Sequence, residues 1–387
     1  MEKKQNVPAL RFQGFSGEWK DSILSNEVSS IDTGRSHFRN DSTGNFAILG
    51  STSVIGYDNS FDYEGDFLLV ARVGNAGSLY RYSGKVKISD NTVFIQGTDL
   101  DFLFYELTHI DLKKLSFGTG QPLVKASTLK NLKISLPSDN EETKRLGCLL
   151  TNFDKVINSQ HKKCVSLKRF RQAMLTKLFP REGAAEPELR FRGFSGKWKC
   201  CRFGDIADIR RGLTYSPSSL RKSGIRVLRA SNIQDDTFYI REDDVFVEPD
   251  AVNIPMVKNG DILIAAAGGS TRLVGKHAVI YGIEENSVAH GGFMLLASSD
   301  YPEFTNALMG ANWYRHFVQQ FIAGGNGAIG NLNKSDLEEQ IVFVPDVAEM
   351  EQIGNFFKEL DTYISLQQKK LERMQRLKAA LLEKLFV

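Results

Sequence analysis

The sequence lacks the usual marks of a secreted, membrane-bound or catalytic protein. Its 387 residues include four cysteines, Cys148, Cys164, Cys200 and Cys201, without the paired spacing of a metal site, and the adjacent Cys200 and Cys201 are badly placed to bridge each other. A reduced cytoplasmic interior without a metal site is the expectation. No long apolar run is present: the most apolar stretch, Ile262 to Ala267, is bounded by Asp261 and Gly268, and the first twelve residues hold no signal-peptide core. Neither sign of charge dominates, since 49 basic and 46 acidic residues leave +3. The sum decides neither for nor against nucleic acid, so the distribution must.

Catalytic signatures are missing too. There is no G-x-x-x-x-G-K-[ST], no H-E-x-x-H and no G-x-S-x-G, and His37, His109, His161, His277, His290 and His316 are scattered singly. Gly325-Asn326-Gly327-Ala328-Ile329-Gly330 fits a dinucleotide motif by letter, yet it follows a helical pattern from Trp313 to Ile322 rather than a strand. An enzyme built on that loop would require nucleotide binding by the isolated chain.

What the sequence does have is a duplication. Pro8 to Lys20, PALRFQGFSGEWK, recurs as PELRFRGFSGKWK at Pro187 to Lys199, with ten of thirteen positions identical. The offset grows from 179 there to 207 in the final segments, so the second copy is about 28 residues longer, gained in its middle. Each copy reads as an aromatic-rich opening, β-type runs such as Phe67 to Val73, a glycine-rich loop, a strand ending at Pro137 or Pro345, and one long helix. The boundaries predicted are a mixed domain over 1–137, a helix over 138–181, a second mixed domain over 182–345 and a second helix over 346–387.

Both helices carry a heptad seam. Leu146, Leu150, Phe153, Ile157, Gln160, Cys164, Leu167, Arg171, Met174 and Leu178 alternate four and three apart. Ile353, Phe357, Leu360, Ile364, Gln367, Leu371, Met374, Lys378, Leu381 and Leu385 repeat the pattern, with a glutamine and a cation at matching places. Parallel pairing would stack Arg171 on Lys378. Antiparallel pairing instead sets Arg171 near Leu360 and Lys378 near Phe153, letting each cation lay its stem on apolar surface and reach outward. The predicted fold is therefore α+β: two tandem mixed domains, each followed by a long helix, the helices packing as an antiparallel coiled coil with pseudo-two-fold symmetry. The first seam would span roughly 50 Å at 1.5 Å per residue.

Charge is clustered. From Gln160 to Arg181 there are seven cations and no anion, and from Ile209 to Gln234 six arginines and lysines again without an anion, followed by an acidic segment from Asp235 to Asp250. Arginine with Tyr215, Ser231, Asn232 and Gln234 supplies donors suited to phosphate and base edges. The glycine-rich loops, with Gln121 and Lys125 in one copy and Asn326, Asn331, Asn333 and Lys334 in the other, can bring amides close to a polyanion, although tight turns alone would explain them.

With these pieces in place, the chain resembles the specificity subunits of type I restriction-modification systems over essentially its whole length: LRFxGFSGxW twice, a variable domain twice, and a long helix ending KLFP or KLFV. The resemblance implies a bacterial or archaeal cytoplasmic protein without catalytic residues, in which each variable domain reads half of a bipartite double-stranded DNA target. It further implies two methyltransferase subunits that use S-adenosylmethionine, restriction subunits that use ATP and magnesium, and no cofactor on this chain. IDTGRSHF and IRRGLTYSP resemble the family's early recognition-loop motif, which nominates Arg35, His37, Arg210, Arg211, Thr214 and Tyr215. Charge and loop position add Arg39, Arg72, Gln121, Lys125, Arg229, Asn232, Arg272, Asn326, Asn331 and Asn333. A spacer near 50 Å would cover about one and a half turns of B-DNA. The alternative is an assembly scaffold whose β-rich domains bind protein partners.

Overall fold

In the computed structural model, residues 6–36, 44–116, 122–268, 273–322 and 331–387 are described. The chain forms two compact units, one of Met1–Lys162 with Lys369–Val387 and the other of Lys163–Gln368. Each unit therefore takes part of both long helices.

In the first unit, β1 (Lys20–Ile23) is followed by a single turn, α1 (Leu24–Glu27), and pairs antiparallel with β8 (Lys133–Leu136). Between them lies a six-stranded sheet in the order β2 (Ser30–Thr33), β7 (Thr92–Gln96), β5 (Tyr63–Ala71), β6 (Leu79–Ile88), β3 (Phe46–Leu49) and β4 (Val54–Asp58). One face is covered by α2 (Leu100–Ile110), by α3 (Ala126–Lys130) and by the first turns of α4 (Asn140–Lys177). The buried run Phe67 to Ala71 is explained by its place in the sheet, because β5 is paired on both sides.

The second unit repeats the plan with insertions. β9 (Lys199–Arg202) pairs with β20 (Ile341–Val344), and β10 (Asp208–Arg211), β19 (Met294–Ser298), β16 (Ile262–Ala265) and β17 (His277–Val279) lie in the order of β2, β7, β5 and β6. A second sheet holds β11 (Leu220–Arg221), β15 (Val245–Val247), β12 (Ile225–Leu228) and β18 (Val288–His290). The parallel pairing of β12 with β18 matches that of β3 with β6. What is one strand in the first copy is thus broken into β17 and β18. The tight turn in which Gly50 N donates to Ser53 O is replaced by a longer loop carrying the hairpin β13 (Ile233–Gln234) and β14 (Thr237–Phe238). Helices α5 (Pro302–Met309), α6 (Asn312–Ile322), α7 (Lys334–Glu338) and α8 (Val347–Leu385) complete the chain.

The long helices begin with acidic residues, Glu141 and Glu142 or Glu349, and end on Lys177 and Lys384, matching the helix dipole. All twenty seam positions are buried or half-buried. Leu146 and Leu150 at the start of α4 share a core with Leu381, Leu382, Leu385 and Phe386 from the end of α8, within the first unit. In the second unit Leu175, Leu178 and Phe179 from the end of α4 share a core with Ile353 and Phe357 from the start of α8. Each pairing is antiparallel, as predicted.

The seam cations differ from expectation in what they touch. Arg171 makes a bidentate contact with Asp361, whose Oδ2 accepts at 3.0 Å, and Lys378 Nζ lies 2.6 Å from Asp154 Oδ1. These aspartates follow Leu360 and Phe153, the apolar residues expected opposite the cations. Half-buried charges are matched across the helix pair rather than released to solvent, because an unpaired charge there is costly. The hairpin tip adds two more carboxylates in the second unit. Asp235 and Asp236 have φ of 48° and 56°, both central residues of a two-residue turn, and lie 3.1 Å from Lys168 and 3.9 Å from Arg171.

Other buried contacts are duplicated residue for residue. Arg11 clasps Glu142 with two hydrogen bonds of 2.7 Å, and Arg190 clasps Glu349 at 2.8 and 2.7 Å. Trp19, Phe102 and Phe386 pack together as Trp198, Phe304 and Phe179 do. Gly147 and Gly354 let α2 and α5 touch the long helices: a Cβ at either would stand 2.8 Å from the backbone N of Phe102 or Phe304.

Candidate nucleic-acid interface

In each unit, one end of the central strands gathers three loop segments. In the first, β5 ends at Ala71, and Arg72 N donates to Asn91 O at 3.0 Å while Arg72 O accepts from Val124 N at 3.0 Å. Ser36 forms a parallel bridge with Ser89. Arg35, Asn91 and Lys125 are exposed there, and the half-buried Arg72 donates from Nη1 to Asp90 O at 3.1 Å.

In the second unit, Ala266 N and Ala267 N both donate to Phe293 O at 3.0 Å, and Ala266 O accepts from Leu332 N at 2.9 Å. Leu213 bridges Gly291 as Ser36 bridges Ser89. Arg211, Thr214, Asn331 and Asn333 are exposed, and Tyr215 is half-buried. Glycine is required where these strands cross the turn, since a Cβ on Gly34 would stand 2.2 Å from Ile88 O and one on Gly212 1.9 Å from Gly291 O. The fold thus brings together Arg35, Arg72 and Lys125 in one unit and Arg211, Thr214, Tyr215, Asn331 and Asn333 in the other. His37, Arg39, Gln121, Arg272 and Asn326 lie outside the described residues.

Two nominated residues, Arg210 and Asn232, have their side chains consumed by the fold, and Arg229, like Arg72, gives one donor to a backbone carbonyl. Arg210 turns toward the far end of β19, donating to Ser298 Oγ and to Asp261 Oδ2, both at 3.0 Å. Asn232 is fully buried: its amide donates to Tyr239 O and Asp244 Oδ1 and its oxygen accepts from Arg229 N. Arg229 donates to Asp243 O at 3.0 Å and its Nε is buried. Asn333 stays exposed but donates to Asp336 at 3.0 Å at the start of α7.

Several cations of the basic runs are likewise paired in space. Lys168, Arg171, Lys177 and Arg181 contact carboxylates, and Lys163 lies over the Tyr363 ring. Arg221 and Arg226 are paired with Glu248 and Asp244 from the acidic segment that follows them. Arg211 is exposed at the surface. Beneath it, burial pushes the His290 imidazole down to about 4, so this ring stays neutral at physiological pH.

Sequence reasoning missed Asn91 and Phe293, which occupy the same place in the two copies. Thr92 N donates to Ser89 O as Met294 N donates to Gly291 O, and each residue's carbonyl holds the strand end opposite. A lone Asn or Phe in a turn carries no periodic or motif signal.

Each unit also exposes apolar residues on its portion of the long helices. Val156 and Leu377 are exposed in the first unit, and Phe170, Tyr363 and Leu366 in the second. The offset of 207 relates Val156 to Tyr363 and Phe170 to Leu377, so these four exposed positions are duplicated like the seam, while Leu366 has Ser159 as its counterpart. Among the described residues, no helix is long and apolar enough to cross a membrane.

Comparison with known proteins places this architecture. The chain is 23% identical over 340 residues, 81% of its own length and 76% of the relative's, to the type I restriction enzyme MjaVIII specificity subunit of Methanocaldococcus jannaschii. The crystal structure of a type I restriction-modification S subunit from M. genitalium matches with a TM-score of 0.70 at 16% identity, covering 98% of this chain and 99% of that one. A chain from a structure describing complex assembly and conformational transition of the type I R-M system matches with a TM-score of 0.51 at 17% identity, covering 95% and 97%. The family model for the type I restriction modification DNA specificity domain matches residues 19–169 and again 195–376, once in each copy, and the chain belongs to that family.

Proposed function

We propose that this chain is the DNA-reading subunit of a type I restriction-modification complex, each unit reading one half of a bipartite duplex target. The observation that supports this most is the pair of strand ends: one scaffold, duplicated to the level of single buried ion pairs, presents two unlike sets of exposed groups. Arg35 and Lys125 in one unit and Arg211 in the other are suited to phosphate, which gives affinity and salt dependence without sequence information. Thr214, Tyr215 and Asn331 are suited to base edges.

The exposed apolar residues of the long helices are the assigned seats for two methyltransferase subunits, with restriction subunits joining that core. Val156 and Leu377 would serve one and Phe170 and Tyr363 the other. S-adenosylmethionine, ATP and magnesium would be held by those partners rather than by this chain. Because both long helices contribute to both units, their length is assigned the unread gap. One added heptad in each keeps the seam in phase and is expected to lengthen the gap with both half-sites unchanged.

The test is selection of random duplex DNA by the chain with its methyltransferase partner. One enriched bipartite sequence is expected. Capture of proteins without any enriched sequence would refute DNA reading and favour the scaffold.

A further inference from the structure

Phe293 is the most exposed large apolar side chain among the described residues, at 74%. A single exposed aromatic is ordinary on a protein surface, so its surroundings decide its meaning. The preceding Gly291 and Gly292 carry no side chains to shield it. A Cβ on Gly292 would stand 3.3 Å from Thr214 Oγ1 and from Leu213 O, which places the turn directly against the loop that follows Arg211. The backbone is pinned rather than loose: Phe293 O accepts from both Ala266 N and Ala267 N, and Met294 N closes the turn on Gly291 O at 2.8 Å. The ring is thus held out at the loop end of the second unit.

The first copy supplies an internal comparison. Asn91 sits in the equivalent turn, its carbonyl accepting from Arg72 N as that of Phe293 accepts from Ala266 N, with Ser51 Oγ in the place of the second amide, and it too is exposed. One scaffold position carries an amide in one unit and a phenyl ring in the other. An amide reads base edges through hydrogen bonds, whereas a phenyl ring can meet a thymine methyl or enter a base step. The small, polar-poor surroundings of the ring also fit an apolar contact: where the first copy has Ser89, Asp90 and Arg72, the second has Gly291, Gly292 and Ala266.

We infer that Phe293 makes an apolar contact with a base in the half-site read by the second unit, and that Asn91 makes a base-edge contact at the matching place in the other half-site. The inference rests on the DNA-reading function proposed above and names the residues that give its two halves different targets.

The experiment uses the full chain with its methyltransferase partner and the wild-type selection as reference. If the wild type enriches no bipartite sequence, DNA reading itself fails and the inference falls with it. Given a wild-type target, Phe293→Ala is expected to relax one or two adjacent positions in one half-site by about tenfold, leaving the other half-site and its phosphate contacts intact. Phe293→Leu should retain part of the preference, and Asn91→Ala should relax the opposite half-site. Uracil in place of thymine reproduces the Phe293→Ala loss if the contact is with the methyl group. 2-Aminopurine at the affected step brightens with wild type only if the ring enters the stack. An unchanged target for Phe293→Ala overturns the inference while leaving DNA reading standing. Equal weakening of both half-sites overturns it as well.

Discussion

Glu106 lies in α2 with one carboxyl oxygen accepting from Ser135 N at 2.9 Å and the other buried without a partner. Burial raises its pKa from 4.5 to about 7, against the Ser135 hydrogen bond, which lowers it. The folded unit therefore prefers the protonated acid, and the unfolded chain binds fewer protons between these two values. Stability is full below the unfolded pKa and is lost as the pH climbs through the folded one. Each pKa unit is worth about 1.4 kcal/mol, so raising the pH from 5 to 8 should cost the first unit about 2.5 kcal/mol from this group alone. For a unit of this size that is about 5–10 °C in unfolding temperature. Glu106→Gln keeps an acceptor for Ser135 and cannot ionise. Scanning calorimetry of the full chain at pH 5 and pH 8 should show the first-unit transition falling in the wild type and staying nearly level in the Glu106→Gln variant. If both fall by the same amount, Glu106 is not the titrating group.

The cross-helix ion pairs make a second set of predictions. Asp361→Ala leaves Arg171 half-buried with only the distant Asp236 and should cost about 2–3 kcal/mol in urea unfolding; a double-mutant cycle with Arg171→Ala should recover at least half as coupling. Additive losses would show that the two do not interact. Gly147→Val should cost more than about 2 kcal/mol, because its Cβ would meet Phe102 N at 2.8 Å and neither helix backbone can yield cheaply; a loss below about 0.5 kcal/mol would contradict that contact. Circular permutation should be tolerated. Leu10 N donates to Lys384 O at 2.9 Å, as Leu189 N donates to Lys177 O at 2.8 Å, so joining Val387 to Met1 and opening the chain between Glu182 and Gly183 restores a connection already present in the other copy. A permuted chain with an unchanged far-UV spectrum and an unfolding temperature within a few degrees is expected, and an insoluble product would refute it.

The duplication, the long helices and their antiparallel pairing were legible because each is written in local periodicity: a heptad survives translation into structure whatever surrounds it. The exposed loop position of Arg35, Arg211 and Thr214 was legible for a related reason, since strand-to-loop transitions after a glycine are local as well. Charge was not. Arg171 reads as part of a basic run, yet Asp361 lies 190 positions away, and Arg226 finds Asp244 only because the inserted loop folds back on β12. Arg210 and Asn232 were misread for the same reason: a side chain's composition says what it can donate, and only the fold says where the donor is spent. Asn91 and Phe293 had no linear signal at all. Their equivalence rests on backbone hydrogen bonds that equate two turns of different sequence.

The distribution of identity between the copies follows from this physics. Arg11 and Arg190, Trp19 and Trp198, Gly147 and Gly354, Asp154 and Asp361 are retained where a change would strand a buried charge or force two backbones apart. At the strand ends the constraint is carried by backbone amides and carbonyls, which any side chain supplies, so Asn91 and Phe293 can differ without disturbing the sheet beneath. Side chains there are free to respond to what they touch outside the protein. A change of side chain at either strand end should therefore cost little stability, whereas a change in the seam of the helix pair strikes a core to which both copies contribute.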